Sequence, residues 1–344
     1  GQLYEPVDHG QLLYYREDSK GQILEEGITE AGSISSWIAA GTAYSNHGVQ
    51  MVPFYIFYSM FGFQRIGDLL WAAGDSRARG FLIGGTSGRT TLAGEGLQHQ
   101  DGHSHLLAAS LPSCIGYDPA FAFEIALIVQ AGLRRMLELQ EDIFYYLTVT
   151  NENYAHPVKP EGSEEGVLRG MYRFKDAGAE GKVQLLGSGA ILHEVLAAAR
   201  LLEQDFNIGS DVWSVTSFTE LRREGLECER WNRHHPEATP KASYVSVCLN
   251  ERSGPVIAAS DYMKAYADQI RCFVPRRYAV LGTDGYGRSD TRAELREFFE
   301  ISRYYIAVAA LTALADEGGV PPSIVVEALR KYGVDPEKPS PVNV

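Results

Sequence analysis

The chain has 344 residues, of which 45% are hydrophobic and 22% are charged, and its formal net charge at pH 7 is −13. These proportions indicate globular domains with well-covered cores and exclude a disordered chain. The acidic balance, without any segregated run of Lys and Arg, excludes nucleic acid as an expected partner.

The first half of the chain alternates between helical and strand patterns. Apolar residues at near-helical spacing predict a helix covering much of 22–45, with Gly27 and Gly32 weakening its start. The continuous apolar and aromatic run at 51–58 is typical of a strand buried on both faces of a parallel sheet. The alternation continues with helices at 61–79 and 119–138 and strands at 80–84, 113–117 and 144–150, around a glycine-rich loop at 85–103.

A polar stretch at 151–166, broken by Pro157, Pro160 and Gly162, is the best linker candidate, so we place a domain boundary near Pro160. The alternation on both sides predicts an α/β fold with two domains, 1–160 and 161–344, each a largely parallel sheet flanked by helices. The second domain is predicted to contain strands at 183–186, 211–215, 256–260 and 278–282 and helices at 191–202, from Asp261, and from 321 to about 332.

Cysteine usage and hydropathy limit the environment of the protein. The four cysteines form no C-x-x-C pair, so we expect them to be reduced, buried and structural. We find no apolar run long enough to span a bilayer and no charged-then-apolar leader, which predicts a cytoplasmic protein without a membrane partner. The chain opens at Gly1 rather than Met, which suggests a boundary within a longer polypeptide.

The stretch 84–105 is the most unusual part of the sequence, because it combines many glycines with His99, His103 and His105. Loops on a rigid sheet often carry chemistry. A zinc site on the three histidines lacks a recognised ligand spacing. A phosphate cradle lacks the G-x-x-x-x-G-K-[ST] pattern and the Rossmann glycine order. A solvated loop with incidental histidines is the third interpretation.

Four stretches of the sequence point to one family. They are QILEEGITE at 22–30, FYIFYSMFGFQRIGD at 54–68, GEGLQHQDGHSH at 94–105 and SVTSFTE at 214–220. They closely resemble the homodimeric bacterial pyruvate dehydrogenase decarboxylating component, and the similarity runs nearly end to end. That family belongs to the transketolase-like thiamine enzymes. The resemblance implies that 1–160 is the pyrimidine-binding domain, N-terminally incomplete, and that 161–344 is the transketolase C-terminal-like domain.

The resemblance implies that Glu30 hydrogen-bonds the aminopyrimidine ring of thiamine diphosphate, as a catalytic and cofactor-binding residue. A carboxyl group held protonated in a low-dielectric pocket can pass its proton to the ring nitrogen and favour the imino tautomer, which deprotonates the thiazolium carbon. From composition alone, Glu30 would be interpreted as a solvated helical glutamate.

The same resemblance implies further cofactor-binding residues. Tyr58 and Phe61 match aromatics that line the aminopyrimidine pocket, where ring stacking contributes about 0.5 to 1.5 kcal/mol beyond burial. Arg65, in the same matching segment, is a further cofactor-binding candidate. Core packing is the alternative interpretation of the aromatic residues.

The resemblance also implies a catalytic role for His99, which matches an active-site histidine. A histidine that titrates near neutrality can donate to a substrate carbonyl or carboxylate and move protons. Glu95, four residues earlier, and His103 are further catalytic candidates, whereas His105 is expected to fill space.

One expected signature is absent from the sequence. The family's diphosphate and magnesium motif, Gly-Asp-Gly followed by an asparagine, is not found, and the Gly-Thr-Asp-Gly stretch at 282–285 lies in the wrong domain. We therefore expect the ligands of the diphosphate and of Mg²⁺ to come from a partner chain or another domain, and no metal ligand within these residues. The expected assembly is a homodimer, or a heterotetramer with a diphosphate-binding chain.

Three functions remain open from the sequence. The first is thiamine-diphosphate-dependent decarboxylation of pyruvate, with transfer of the two-carbon unit to a lipoyl acyltransferase partner. The second is transketolase-like transfer of a ketol unit from a ketose phosphate to the thiol of an acyl carrier protein, by a split two-subunit enzyme. The third is a non-catalytic scaffold subunit.

Overall fold

The computed structural model describes residues 3–11, 16–178 and 181–344, and it contains two separate β-sheets. The first sheet has four strands in the order β1-β2-β4-β3, and all of its pairings are parallel. Its elements are β1 (Phe54–Phe57), β2 (Phe81–Gly84), β3 (Cys114–Tyr117) and β4 (Phe144–Thr148), with helices α1 (Glu30–Gly41), α2 (Ala43–Asn46), α3 (Gly62–Asp75), α4 (Ser104–Ala108) and α5 (Ala122–Leu133), the last continuing as a π-helical turn, Arg134–Glu138.

The second sheet has five strands in the order β5-β7-β6-β8-β9, and only the β5–β7 pairing is antiparallel. Its strands are β5 (Met171–Lys175), β6 (Gly181–Gly187), β7 (Gly209–Val215), β8 (Val256–Ala259) and β9 (Tyr278–Leu281). The helices of this half are α6 (Glu164–Arg169), α7 (Leu192–Phe206), α8 (Phe218–His234), α9 (Tyr244–Asn250), α10 (Lys264–Asp268), α11 (Arg292–Phe298), α12 (Arg303–Asp316) and α13 (Pro322–Tyr332).

The central strands of both sheets are covered on both faces, and their successive residues point to opposite sides. In β6, Leu185 packs into the core that includes α7 and α12, while Leu186 packs into the core that includes α8 and α9. In β4, Tyr145 and Tyr146 separate in the same way between two cores. This double burial explains the continuous apolar runs of the central strands. The strand β1, predicted to be buried on both faces, is instead an edge strand that exposes Phe54 and Ile56.

The predicted fold class, two α/β units with largely parallel sheets, is confirmed. All eight predicted strands are present within a few residues of their expected positions. Antiparallel β5 and the charged helix α8 were not predicted. The two sheets lie on either side of residue 160, although the domain boundary itself stays a prediction.

Three expectations need correction. The first helix begins at Glu30 rather than near 22, because the Thr29 side chain caps it by accepting from Gly32 N at 3.3 Å. Cys272 is exposed, so not all of the cysteines are buried. The segment Arg292–Asp316 does have the length and apolar composition of a membrane span, although 50% of its most apolar window is buried inside the protein.

Candidate active site

The predicted site residues lie at the carboxyl ends of β1 and β2, the edge of a parallel sheet where ligands usually bind. Tyr58 and Phe61 lie in the turn that follows β1, where Phe61 N donates to Tyr58 O at 3.0 Å. His99 lies in the loop 85–103 after β2, and Glu30 is the first residue of α1. Elements from three parts of the first half therefore meet at this edge.

Glu30 is held by Arg65. The Arg65 Nη1 atom donates to Glu30 Oε1 at 2.6 Å, and the Glu30 side chain is 17% exposed while that of Arg65 is 50% exposed. The guanidinium carbon of Arg65 lies 4.2 Å from the centroid of the Phe61 ring. Glu30 is therefore largely sequestered from water beside Phe61, and it is paired with a cationic side chain, a contact that the sequence did not predict.

Tyr58, Phe61 and His99 form an edge-to-face cluster. The ring centroids are 6.0 Å apart for Tyr58 and Phe61, 5.1 Å for Phe61 and His99, and 5.6 Å for Tyr58 and His99. These separations lie in the range that aromatic pairs prefer. Because Tyr58 is 45% exposed, the cluster remains accessible to a ring placed against it.

One nitrogen of the His99 ring, Nδ1, is buried without a hydrogen-bond partner among the residues that the structure describes. The Nε2 atom of the same ring lies 3.8 Å from Glu95 Oε2, which is too long for a hydrogen bond. A buried polar atom without a partner carries a desolvation cost, and no hydrogen bond of Nδ1 within the described residues fixes the ring.

His103 lies at the side of this cluster. Gln64 Nε2 donates to the Met60 carbonyl at 2.7 Å and lies 2.9 Å from His103 Nε2, so the amide is the donor and His103 Nε2 accepts. The other ring nitrogen, Nδ1, lies 4.0 Å from buried Asp101. Within the described residues, His103 thus contacts Gln64 and Asp101 rather than the aromatic cluster.

His105 is completely buried, behind the site. Its Nε2 atom lies 2.8 Å from Thr148 Oγ1, and this hydroxyl donates to Asp118 Oδ1 at 2.6 Å. Burial lowers the pKa of His105 to about 4 and raises the pKa of Asp118 to about 7. The Tyr262 hydroxyl, from the second half, lies 3.4 Å from the same Asp118 oxygen. His105 is therefore part of a buried polar network between the two halves.

The zinc and solvated-loop interpretations of 84–105 are not supported. In the described part of the chain, no group of three or more His, Cys, Asp and Glu side chains could hold a metal ion. His103 and His105 are directed to different partners, Gln64 and Thr148. Ser87, Thr90 and Thr91 are buried, so much of the loop is packed rather than solvated.

Two family models match the chain. One described as pyruvate dehydrogenase E1 component middle domain matches residues 1–157, and one described as transketolase-like C-terminal domain matches residues 170–302. The pyruvate dehydrogenase E1 component of Pseudomonas aeruginosa is 65% identical over 346 residues, covering 100% of this chain and 39% of the relative. That of Escherichia coli K12 is 56% identical, covering 99% and 39% respectively. The chain thus spans 39% of the length of these curated relatives.

Solved structures share the fold at low sequence identity. A transketolase from Campylobacter jejuni aligns with a TM-score of 0.58 and 20% identity, covering 80% of this chain and 38% of its own. A split-gene transketolase, solved as an inactive β4 tetramer, aligns with a TM-score of 0.58 and 15% identity, covering 84% of this chain and 83% of its own. The two domain matches and the high identities confirm the resemblance: the chain carries a pyruvate dehydrogenase E1 component middle domain and a transketolase-like C-terminal domain.

Proposed function

We propose that this chain supplies the aminopyrimidine-binding half of a thiamine diphosphate site in an enzyme that decarboxylates pyruvate and passes the two-carbon unit to a lipoyl acyltransferase. The observation that carries the proposal is the continuity of the cluster formed by Glu30, Arg65, Phe61, Tyr58 and His99. The choice of pyruvate rather than a ketose phosphate rests on 65% identity to a pyruvate dehydrogenase component, against 20% to a transketolase.

The described residues fit the pyrimidine end of the cofactor. Phe61 and Tyr58 offer aromatic surface, and the Glu30 carboxylate has one oxygen, Oε2, other than the one that Arg65 contacts. A nitrogen of the aminopyrimidine ring placed against Glu30 Oε2 could exchange a proton with this oxygen, and the aromatic side chains would fix the tilt of the heterocycle. Thiamine diphosphate, when bound, supplies the nucleophilic carbon and the electron sink for loss of carbon dioxide from a 2-oxo acid.

His99 would handle the substrate in this arrangement. The His99 side chain is 27% exposed, so its ring can exchange a hydrogen bond with a carbonyl or carboxylate oxygen, and Glu95 Oε2 lies 3.8 Å from Nε2, beyond hydrogen-bond distance. His103, bound to Gln64, would act at a distance through the loop rather than on the reacting atoms.

The diphosphate and Mg²⁺ would be held outside these 344 residues, because the sequence lacks the family's metal motif. The edge strand β1 exposes 50% of Phe54 and 71% of Ile56 beside the site, and apolar surface of this kind is typical of a binding face. We propose that a diphosphate-binding domain, from a second copy in a homodimer or from a separate chain in a heterotetramer, covers this face. A cytoplasmic location stays a prediction.

The test is Glu30→Gln in an enzyme reconstituted with the remainder of the Pseudomonas aeruginosa relative. Because Gln cannot relay the proton, we expect turnover of pyruvate to fall by about 10²-fold or more. Asp68→Asn, an exposed change in α3, is the matched control and should retain activity. Undiminished turnover in Glu30→Gln would refute the assignment, and turnover of a ketose phosphate instead of pyruvate would favour the transketolase-like function.

A further inference from the structure

A carboxylate of the second half, that of Asp261, binds the loop that carries His99. Asp261 follows β8, and its side chain is buried. Its Oδ1 accepts from Thr90 N at 2.9 Å and from Thr90 Oγ1 at 2.7 Å, and its Oδ2 accepts from Thr91 N at 3.0 Å and from Thr91 Oγ1 at 2.6 Å. Each oxygen thus receives one backbone and one hydroxyl donor, a set that suits an ionised, acceptor-only carboxylate.

The close approach of Asp261 to the loop depends on Gly88. This glycine has φ +92°, and a Cβ atom there would lie 2.2 Å from Asp261 Oδ2. Only glycine combines this backbone conformation with enough space for the carboxylate. The sequence of the loop is therefore adapted to receive a side chain from the other half.

Contacts on the far side of His99 complete the fastening. Gln100 donates from Nε2 to the Leu92 carbonyl at 2.8 Å and accepts at Oε1 from Arg288 N at 2.8 Å. Met263 N, two residues after Asp261, donates to the Gly102 carbonyl at 2.9 Å. The second half therefore holds the loop both before and after His99.

Within the loop itself, His99 is weakly constrained. Its ring makes edge-to-face contacts and one 3.8 Å contact with Glu95, and the flanking Gly94 and Gly96 adopt positive φ angles of 84° and 74°. Without outside anchors, such a segment samples many conformations. The direction of the His99 ring must therefore be set largely by the anchored parts of the loop.

We propose that Asp261 is a positioning residue for His99: by holding Thr90 and Thr91, it keeps the imidazole against Tyr58 and Phe61. This inference rests on the proposed function in so far as His99 is taken to face the substrate. Asp261 itself contacts the loop rather than the aromatic cluster, and it would act through backbone placement.

The experiment compares Asp261→Asn with Glu124→Gln. Glu124 is also buried and accepts four hydrogen bonds, from Ala120 N, Phe121 N, Tyr172 Oη and Ser214 Oγ, but it is not bound to the loop. Both changes replace a buried acceptor by an amide, so both should lower the melting temperature. The His99 ring resonances, assigned with His99→Gln in the labelled chain, give a readout that needs neither cofactor nor substrate.

We expect Asp261→Asn to shift or broaden the His99 resonances, whereas Glu124→Gln leaves them in place. In the reconstituted enzyme, Asp261→Asn should lower kcat by tenfold or more with a smaller change in KM. Thr91→Val should also lower kcat, whereas Thr91→Ser, which keeps the hydroxyl, should retain most of the wild-type kcat.

Equal effects of Asp261→Asn and Glu124→Gln on the His99 resonances would overturn the inference and reduce Asp261 to a stabilising residue. Unchanged resonances in Asp261→Asn would overturn it as well. If the wild-type enzyme fails to turn over pyruvate, the proposed function is wrong, yet the resonances still decide whether Asp261 positions His99.

Discussion

The edge strand of the first sheet and the central strand β6 of the second sheet differ in how completely their apolar residues are covered. On β1, the edge strand of the first sheet, Phe54 and Ile56 are exposed next to the candidate site. In the interior of the second sheet, Leu185 and Leu186 of β6 are buried on opposite faces. An exposed apolar edge beside polar groups marks a surface that binds something, whereas a sheet buried on both sides serves as a scaffold.

The scaffold is nevertheless connected to the site. Asp261 reaches the loop of His99, and Tyr262 reaches the buried pair of Asp118 and His105. Among the described residues, the second half thus contributes no side chain to the cluster of Tyr58, Phe61 and His99, but it binds the loop that carries His99. In the proposed function, chemistry and positioning are therefore separated between the two halves.

Matched truncations should separate the two sheets most clearly. Leu185→Ala removes a fully buried side chain, so we expect the free energy of unfolding to fall by about 2 to 5 kcal/mol. Ile56→Ala removes a mostly exposed side chain and should cost less than about 0.5 kcal/mol. Urea unfolding measures both, and similar losses would remove the distinction between scaffold and binding edge.

The buried pair between the halves predicts opposite pH dependences. Burial lowers the pKa of His105 from 6.5 to about 4, so between these values the unfolded chain binds a proton that the folded chain does not, and stability rises with pH. Burial raises the pKa of Asp118 from 3.8 to about 7, so the folded chain binds the extra proton, and stability falls as pH rises through this window.

Single variants should expose each contribution. Asp118→Asn removes the Asp118 contribution and leaves that of His105. The free energy of unfolding of the variant minus that of wild type should therefore increase as the pH rises from 4.5 to 6.5. His105→Gln removes the His105 contribution and leaves that of Asp118. The free energy of unfolding of this variant minus that of wild type should therefore decrease as the pH rises over the same range. Each slope is at most about 1.4 kcal/mol per pH unit. Chemical denaturation at several pH values measures them, and slopes of the same sign would contradict the assigned shifts.

A small effect is also expected from the ion pair at the open edge. Arg65→Gln removes the partner of Glu30, but Arg65 is half exposed, so the free energy of unfolding should fall by less than about 1 kcal/mol. The loss should shrink further in 0.5 M salt because the charges are screened. Denaturation at two salt concentrations tests this, and a larger, salt-independent loss would mean that the pair is part of the core.

Sequence patterns located most elements because apolar runs and proline or glycine breaks are local signals. The helix α8 was not predicted because most of its surface residues are charged or polar, and only a narrow stripe, including Phe218 and Leu221, is buried. The aromatic cluster was accessible through the resemblance, since its members lie in matching segments. The contact of Asp261 with the loop could not be predicted, because its partner Thr90 is 171 positions away and no local pattern links the two residues.

The central claim is that the edge formed by Glu30, Phe61, Tyr58 and His99 is half of a thiamine diphosphate site. Calorimetric titration of thiamine diphosphate with Mg²⁺ tests it directly, using this chain alone and mixed with the remainder of the Pseudomonas aeruginosa relative. We expect binding only in the mixture, with affinity reduced at least tenfold by Glu30→Gln. Equal affinity for the isolated chain and the mixture, or unaltered affinity in Glu30→Gln, would contradict the account.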